Sequence, residues 1–255
     1  MLLAIDVGNT HICMGILDDK KILGNFRLTT KTPRTSDEYG ICMSILLDQS
    51  KIKKEDIDDV IISSVVPKIM YSLTNCIRKY LQKEPIIIGP GIKTGIKIHH
   101  DNAKEVGADR IVNVAYAYHT LKKACIVIDF GTATTFDYVS ADGDFKYTVI
   151  SPGLEISAQA LYGQTAKLPE IEIKKPASIL ATNTIDGMQA GVVYGYIGHV
   201  EYVIKRMKEE IAQDDIWVIA TGGLGRVIYK ATDMIDEFDP DIAFKGMRIL
   251  YDKNR

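Results

Sequence analysis

The sequence has little that would bring it to a membrane or to nucleic acid. Its longest mostly apolar stretches, such as residues 111–118, fall well short of the roughly 18 residues that a membrane-spanning helix needs. The short apolar run at the N-terminus follows no basic segment and is interrupted by Asp6, so we expect no signal peptide. The net charge is −2, from 31 Lys and Arg against 33 Asp and Glu. Such a balance gives no general attraction to nucleic acid or anionic lipid.

Cysteine is also scarce, and its distribution excludes a common type of metal site. The four cysteines are far apart and each lies in an apolar context: Cys13, Cys42, Cys76 and Cys125. Because no CxxC pair or Cys/His cluster occurs, the sequence argues against a zinc site. We expect four buried thiols and, from this cysteine usage, a protein of the reducing cytoplasm.

What the sequence does contain is two similar polar turns, each directly after an apolar run. Residues 2–5 lead into residues 6–10 (Asp-Val-Gly-Asn-Thr), and a second apolar run follows. This order predicts a β-hairpin with the Asp6 carboxylate at its tip. The pattern returns at residues 125–135, where Asp129 opens the segment Asp-Phe-Gly-Thr-Ala-Thr-Thr. Two such hairpins predict a duplicated architecture.

The rest of the chain reads as strands first and then alternating helices and strands, which predicts an α/β fold with helices on the sheets. We expect a helix from Asn102 to about Leu121, a surface loop over residues 164–183 and a long helix over residues 184–211. A strand is expected over residues 214–221, ending in a glycine-rich turn. The boundary between the halves falls near the end of the first of these helices, giving domains at residues 1–120 and 121–255.

The paired carboxylates identify a superfamily by resemblance. A carboxylate at a strand end can hold a divalent cation, while turn amides and hydroxyls donate to phosphate oxygens. Asp6 and Asp129 at the ends of matched strands, with glycines at residues 222–225 after a third, resemble the actin-like, sugar-kinase superfamily of ATPases. The resemblance implies two similar ribonuclease-H-like domains, each a mixed sheet flanked by helices, that clamp a nucleotide between the hairpins. The absence of GxxxxGK[ST] argues against a P-loop enzyme.

A closer resemblance covers nearly the whole chain. Residues 6–10, residues 107–110 (Gly-Ala-Asp-Arg) and residues 129–135 resemble, in order and spacing, the motifs of type III pantothenate kinases. Three shorter segments also match: residues 151–153, 183–184 and 221–223. The resemblance implies ATP-dependent phosphorylation of pantothenate to 4'-phosphopantothenate, the first step of coenzyme A biosynthesis, by a homodimer. It further implies Mg²⁺ and a monovalent cation, K⁺ or NH₄⁺, beside the nucleotide.

The same resemblance assigns roles to individual residues. It implies that Asp109 is the general base for the pantothenate hydroxyl, that Asp129 binds the monovalent cation and that Asp6 lies near Mg²⁺. The implied ATP-binding residues are Asp6, Val7, Gly8, Asn9, Thr10, His11, Ile12, Cys13 and Thr132. The implied substrate-binding residues are His100, Gly107, Ala108, Asp109, Arg110 and Thr184. His100 departs from the family pattern, which often has Tyr at this position.

The residues by themselves leave plainer alternatives open. Asp109 and Arg110 could form a solvent-exposed pair, although Gly107 inside a helix would cost about 1 kcal/mol relative to Ala and suggests a close approach by a ligand. Thr184 fits an ordinary helix N-cap. His99 and His100 could both be exposed to solvent.

One further pattern has two explanations. Glycine recurs every fourth residue, at 187, 191 and 195, on the long predicted helix. Such a stripe permits close packing of helices, either within one chain or between two copies in a dimer.

Two other functions remain possible at the level of sequence. A non-catalytic regulator could retain this fold, although the complete set of Asp6, Asp109 and Asp129 argues against it. A sugar or acetate kinase of the same superfamily would share the two hairpins but would not explain residues 107–110.

Overall fold

The computed structural model describes residues 1–19, 21–213 and 215–255. The strands are β1 (Leu2–Val7), β2 (His11–Asp18), β3 (Lys21–Thr29), β4 (Asp59–Ser64), β5 (Ile86–Ile87), β6 (Lys97–Ile98), β7 (Cys125–Phe130), β8 (Ala133–Val139), β9 (Asp144–Pro152), β10 (Trp217–Thr221) and β11 (Glu237–Phe238). The α-helices are α1 (Ser36–Gln49), α2 (Pro67–Cys76), α3 (Ala108–Leu121), α4 (Leu154–Gly163), α5 (Thr184–Ile211), α6 (Gly225–Tyr229) and α7 (Ile242–Asn254).

The first sheet has the strand order β3-β2-β1-β4-β5. β1 pairs antiparallel with β2 through the first hairpin and parallel with β4. Because both faces of the central strand β1 are covered, Leu2, Leu3, Ala4 and Ile5 are all buried, and the strand reads as a continuous apolar run.

The second sheet repeats this arrangement. Its order is β11-β10-β7-β8-β9-β6, so β7 takes the place of β1: it pairs antiparallel with β8 and parallel with β10. The additional strand β6 joins the edge by pairing with β9. Two mixed sheets with the same connectivity confirm the predicted duplicated α/β fold.

The chain divides into two compact units. Unit 1 comprises Met1–Ile96, Asp101–His119 and Asp241–Arg255, and unit 2 comprises Lys97–His100 and Thr120–Pro240. This division differs from a simple cut at residue 120 because α7 belongs to unit 1. There Phe244, Met247 and Leu250 pack in one apolar cluster with residues of β1 and α3.

Helix α3 begins later than the sequence predicted. The predicted start, Asn102, instead caps a short 3₁₀ turn (Ala103–Glu105), with its side chain accepting from the Lys104 amide at 3.2 Å. Val106 then adopts extended backbone geometry and interrupts the helix. Gly107 therefore precedes α3, and its carbonyl accepts the first-turn bond from the Ile111 amide at 3.2 Å. The expectation that Gly107 lies inside a helix was wrong.

Other boundaries agree more closely. The long helix α5 spans the predicted residues, but its N-cap is Asn183, whose side chain accepts from the Asp186 amide at 2.9 Å. The alternative that Thr184 serves only as this cap is thus wrong. β10 begins at Trp217. Asp214, where we expected this strand to begin, lies outside the described residues.

Two simple expectations from composition can also be checked. Across the described ranges, no helix is both long and apolar enough to cross a membrane. All four cysteines are free thiols. Cys76 and Cys125 are buried as expected, whereas Cys13 and Cys42 are only partly buried.

Candidate active site

The tip of the first hairpin is held by hydrogen bonds within unit 1. The Gly8 amide donates to the His11 carbonyl at 2.9 Å, which closes the turn after β1. Thr30 joins the end of β3 to this turn: its hydroxyl donates to the Gly8 carbonyl at 2.8 Å and its amide to the Thr10 carbonyl at 3.0 Å. Asn9 and His11 are exposed. The predicted phosphate-binding segment is therefore a fixed turn with exposed polar residues.

Asp6 at the end of β1 is in an unfavourable place for a negative charge. Burial, together with the nearby Asp109 carboxylate, raises the pKa of its carboxyl group from 3.8 to about 7. The Ser63 hydroxyl on the paired strand β4 acts in the opposite direction. Unit 1 thus brings Asp6 and Asp109 close enough to repel each other, although they are far apart in the sequence.

The segment containing Asp109 turns sharply into α3. A Cβ on Gly107 would collide with the Asp109 carboxylate and would lie 3.2 Å from Val65 Cγ1, so a larger residue there would displace the Asp109 side chain. The Asp109 carboxylate also accepts from the Arg110 amide at 2.8 Å, which fixes its direction at the start of the helix. Asp109 and Arg110 are both partly buried. This environment does not match the alternative of a solvent-exposed pair.

The turn after β9 contacts the tip of the second hairpin. Asp129 lies opposite Thr135 in β8 and Thr221 in β10, at the matched strand end of unit 2. The Gly153 amide donates to the Thr132 carbonyl at 3.1 Å. Thr132 itself is exposed.

The glycine-rich turn after β10 is also close to this hairpin. Gly222 has φ +97°, and a Cβ there would lie 2.5 Å from the Phe130 carbonyl oxygen. The turn is thus packed backbone to backbone against the end of β7. Gly223, the next residue, has open space around it.

These two glycines provide a matched pair of substitutions. Gly222→Ala forces a side chain into a left-handed backbone conformation and into Phe130, so we expect a loss of about 2–3 kcal/mol in the free energy of unfolding. Gly223→Ala should change it by less than about 0.5 kcal/mol. Urea denaturation of both variants measures the difference. Equal stabilities would contradict the close backbone approach.

The remaining predicted substrate residues lie in unit 2. The ring of His100 packs edge-on against Phe145, with ring centroids 4.5 Å apart, and the residue is only partly exposed. His99 is exposed and pairs with the Asp144 carboxylate at 3.0 Å. The alternative of two solvent-exposed histidines is therefore wrong for His100. Thr184 is exposed at the first turn of α5.

The acidic residues suit a cation that takes most of its ligands from phosphate and water. In residues 1–19, 21–213 and 215–255, no group of three or more His, Cys, Asp or Glu is arranged to hold a metal. Mg²⁺ is commonly bound by one or two carboxylates together with substrate phosphates. The raised pKa of Asp6 beside Asp109 fits this chemistry, since a nearby divalent charge would relieve the repulsion.

The structure adds residues that sequence reasoning missed. Ser63 is fully buried beside Asp6, and its hydroxyl has no hydrogen-bond partner of ordinary geometry. Thr30 fixes the first hairpin tip. A signal for Ser63 was present: in β4 two serines follow an apolar run of Val-Ile-Ile, as Asp6 follows the apolar run of β1. Thr30 carried no comparable signal because its partners are 20 or more residues away.

Comparisons with known proteins point to one family. The family model for type III pantothenate kinase matches residues 2–206. A type III pantothenate kinase of Agathobacter rectalis is 52% identical over 253 residues, which cover 99% of this chain and 97% of that protein.

Solved structures are similar in fold at low sequence identity. A conserved protein of Campylobacter jejuni, assigned to the Baf family of transcriptional activators, matches with a TM-score of 0.62 and 20% identity over 99% of this chain and 98% of its own. MreB 5 of Spiroplasma citri, bound to AMPPNP, matches with a TM-score of 0.58 and 11% identity over 98% and 96% of the two chains. These similarities confirm the actin-like ATPase fold.

Proposed function

This chain belongs to the type III pantothenate kinase family, and we propose that it uses Asp109 as the general base when it phosphorylates pantothenate. It is a kinase that transfers a phosphate from ATP to pantothenate in coenzyme A biosynthesis. The observation that best supports the role of Asp109 is its proximity to Asp6. A base beside the strand end that receives the phosphates can reach a hydroxyl positioned for in-line attack.

The assignment of ATP contacts follows the two hairpins. Residues 6–13 in unit 1 supply a fixed turn whose polar groups can donate to phosphate oxygens. Thr132 in unit 2 offers an exposed hydroxyl at the tip of the other hairpin. Phosphoryl transfer requires little beyond positioning and charge neutralisation, so a few such groups are sufficient.

Pantothenate carries a carboxylate and the hydroxyl that is phosphorylated, and the proposed residues match both. The Arg110 guanidinium can bind the carboxylate through two parallel hydrogen bonds. Asp109, directed by the Arg110 amide, takes the proton from the hydroxyl. By the family resemblance we also propose His100 and Thr184 as substrate-binding residues, and within unit 2 the ring of His100 is oriented by Phe145.

Two cations complete the proposed site. Asp6 would help to hold Mg²⁺ and Asp129 the monovalent cation, K⁺ or NH₄⁺. When bound, these ions neutralise the phosphate charge that develops during transfer. The Asp6 and Asp129 carboxylates occupy the same position in the two repeated sheets, at the end of the strand that opens each hairpin.

We also propose that two copies of this protein form a homodimer through α5. Beyond the adjacent backbone of the helix itself, a Cβ at Gly191, Gly195 or Gly198 would meet nothing within 4 Å, whereas one at Gly187 would lie 3.8 Å from Ala181 Cβ. The glycine stripe therefore faces outward over residues 191–198. Tyr202 on the same face is 65% exposed. An outward stripe of small residues beside exposed apolar side chains suits a second copy of the helix better than packing within one chain.

A bulky charge on this face tests the dimer. Gly195→Arg should convert the protein from dimer to monomer at micromolar concentration, because two arginines would meet across a twofold contact. Sedimentation velocity measures the change, and circular dichroism verifies that the helix content is retained. A folded variant that stays dimeric, or a wild-type protein that is monomeric, would rule out this interface.

A coupled assay of ADP release tests the reaction itself. With ATP, Mg²⁺ and K⁺, we expect turnover with pantothenate and none with a panel of sugars or acetate. Turnover with a sugar or acetate instead would favour another kinase of the superfamily. Stabilisation by ligands without any turnover would favour a regulatory protein.

Fractionation of the source cells should find the enzyme in the cytoplasm, as the scattered free thiols suggest.

A further inference from the structure

A buried tyrosine hydroxyl forms one of the contacts between the long helix α5 and the second hairpin. Tyr196 Oη lies 2.6 Å from Thr134 Oγ1 and 2.8 Å from the Pro152 carbonyl oxygen. Because a carbonyl can only accept, the tyrosine donates its single proton to Pro152 and accepts from Thr134. Tyr196 is 7% exposed and Thr134 is fully buried. This contact joins the helix to β8, the strand that leaves the hairpin tip, and to the end of β9, which pairs with β8.

A second contact lies one turn further along the same helix. His199 Nε2 lies 3.0 Å from Ser151 Oγ, and the histidine ring packs against Phe136 with centroids 6.0 Å apart. Ser151 pairs with Thr134 across the sheet, next to the pair formed by Pro152 and Ala133. The helix therefore holds the same short segment of β9 at two adjacent residues.

The held segment lies directly under the exposed tip. A Cβ on Gly153 would lie 2.6 Å from the Thr132 carbonyl oxygen, and the Gly153 amide donates to that oxygen. The tip residues Gly131, Thr132 and Ala133 are themselves exposed. The position of the tip thus depends on its contact with the end of β9 and Gly153. Tyr196 and His199 in turn hold the end of β9.

We propose that Tyr196 is a positioning residue for nucleotide binding: its hydroxyl holds the second hairpin in the conformation that contacts ATP. The proposal depends on the proposed role of Thr132 and Asp129. An exposed loop that is ordered before binding loses less conformational entropy when the ligand arrives, so the anchor raises affinity without touching the nucleotide. Tyr196 acts through Thr134 and Pro152 and is not a catalytic residue.

Tyr196→Phe removes the hydroxyl and leaves the ring in the core. We expect the KM for ATP to rise about tenfold, the factor that corresponds to 1.4 kcal/mol, while the KM for pantothenate changes less than about twofold. Tyr138→Phe is the matched control. Tyr138 is in the same buried cluster and on β8, but its hydroxyl donates to Gln213 Oε1 at 3.1 Å, away from the tip. A merely structural hydroxyl would lower the Tm of both variants and leave both values of KM unchanged, which would overturn the proposal.

Hydrogen exchange separates this proposal from the proposed function. Amides of residues 130–134 should exchange faster in Tyr196→Phe than in Tyr138→Phe, whether or not the protein phosphorylates pantothenate. A wild-type protein without kinase activity would contradict the proposed function. Hydrogen exchange would still show whether the Tyr196 hydroxyl holds the hairpin tip in place. Should Tyr196→Phe fail to fold, Thr134→Val removes the bond between Thr134 and Tyr196 and leaves the bond to Pro152, so a smaller effect in the same direction is expected. Unchanged exchange at the tip in the folded variant would refute the anchoring role.

Discussion

Replacing Asp109 with asparagine lowers kcat for pantothenate phosphorylation by about 100- to 10,000-fold, the range typical of a lost general base. The amide has nearly the same shape and can keep the contact with the Arg110 amide, now 2.8 Å from the carboxylate. It cannot accept a proton from the substrate hydroxyl. Affinity for ATP should change little or increase slightly, because the repulsion between Asp109 and Asp6 disappears.

Single-turnover kinetics and calorimetric titration with a non-hydrolysable ATP analogue measure these two quantities separately. Asp109→Ala should be as inactive as Asp109→Asn. Asp101→Asn changes an exposed carboxylate of the same unit and should keep wild-type turnover. Undiminished kcat in both Asp109 variants would exclude the role of general base.

Replacing Asp6 with asparagine should stabilise the ligand-free protein and nearly abolish its activity. The raised pKa of Asp6 means that the folded protein binds this proton more tightly than the unfolded chain does. Above pH 7 the carboxylate is ionised in both states, and its charge then destabilises the fold. A shift of three pKa units corresponds to about 4 kcal/mol, which solvent screening of this partly exposed group reduces to roughly 1–3 kcal/mol.

The gain in stability should depend on pH in a defined direction. It should be small below about pH 4, grow between pH 4 and 7 and stay constant above. Thermal unfolding of the ligand-free protein at several values of pH measures this, with a rise in Tm of several degrees at pH 8. Asp18→Asn, at an exposed end of β2, is the control. A rise in Tm of equal size in that variant would show that the effect does not come from the buried position of Asp6.

The same variant should lose kcat/KM for ATP by about 100-fold or more, because an amide cannot balance the charge of a bound Mg²⁺ beside the phosphates. Higher stability combined with lower activity in a variant is typical of residues that are retained for function at the expense of stability. An Asp6→Asn protein that is less stable than the wild type at pH 8, or that remains fully active, would contradict the assignment.

Most of the secondary structure could be predicted from sequence patterns of neighbouring residues. Both hairpins could be predicted because an apolar run, a polar turn and a second apolar run are adjacent in the sequence. The start of α3 could not be predicted in this way, because it depends on backbone geometry that the apolar spacing does not reveal. The apolar spacing continues back from α3, while the capping of a short 3₁₀ turn by Asn102 and the extended Val106 decide where the helix begins.

The candidate site was predictable where its residues fall in contiguous motifs. Residues 6–13, 107–110 and 129–135 are such motifs, and their roles remain proposals. Thr30, Ser63 and Tyr196 escaped notice because what they do depends on partners distant in the sequence. Tyr196 and Thr134, for example, are 62 residues apart.

The sequence by itself determined the duplicated hairpins, the carboxylates at their strand ends and the long helix α5, since each depends on residues close together along the chain. Only the tertiary structure decided that α7 completes unit 1, that Asp109 raises the pKa of Asp6 and that α5 supports the second hairpin. These are consequences of burial and of contacts between distant segments. Apolar periodicity marks which face of an element is buried, but it does not specify the partner against which that face packs.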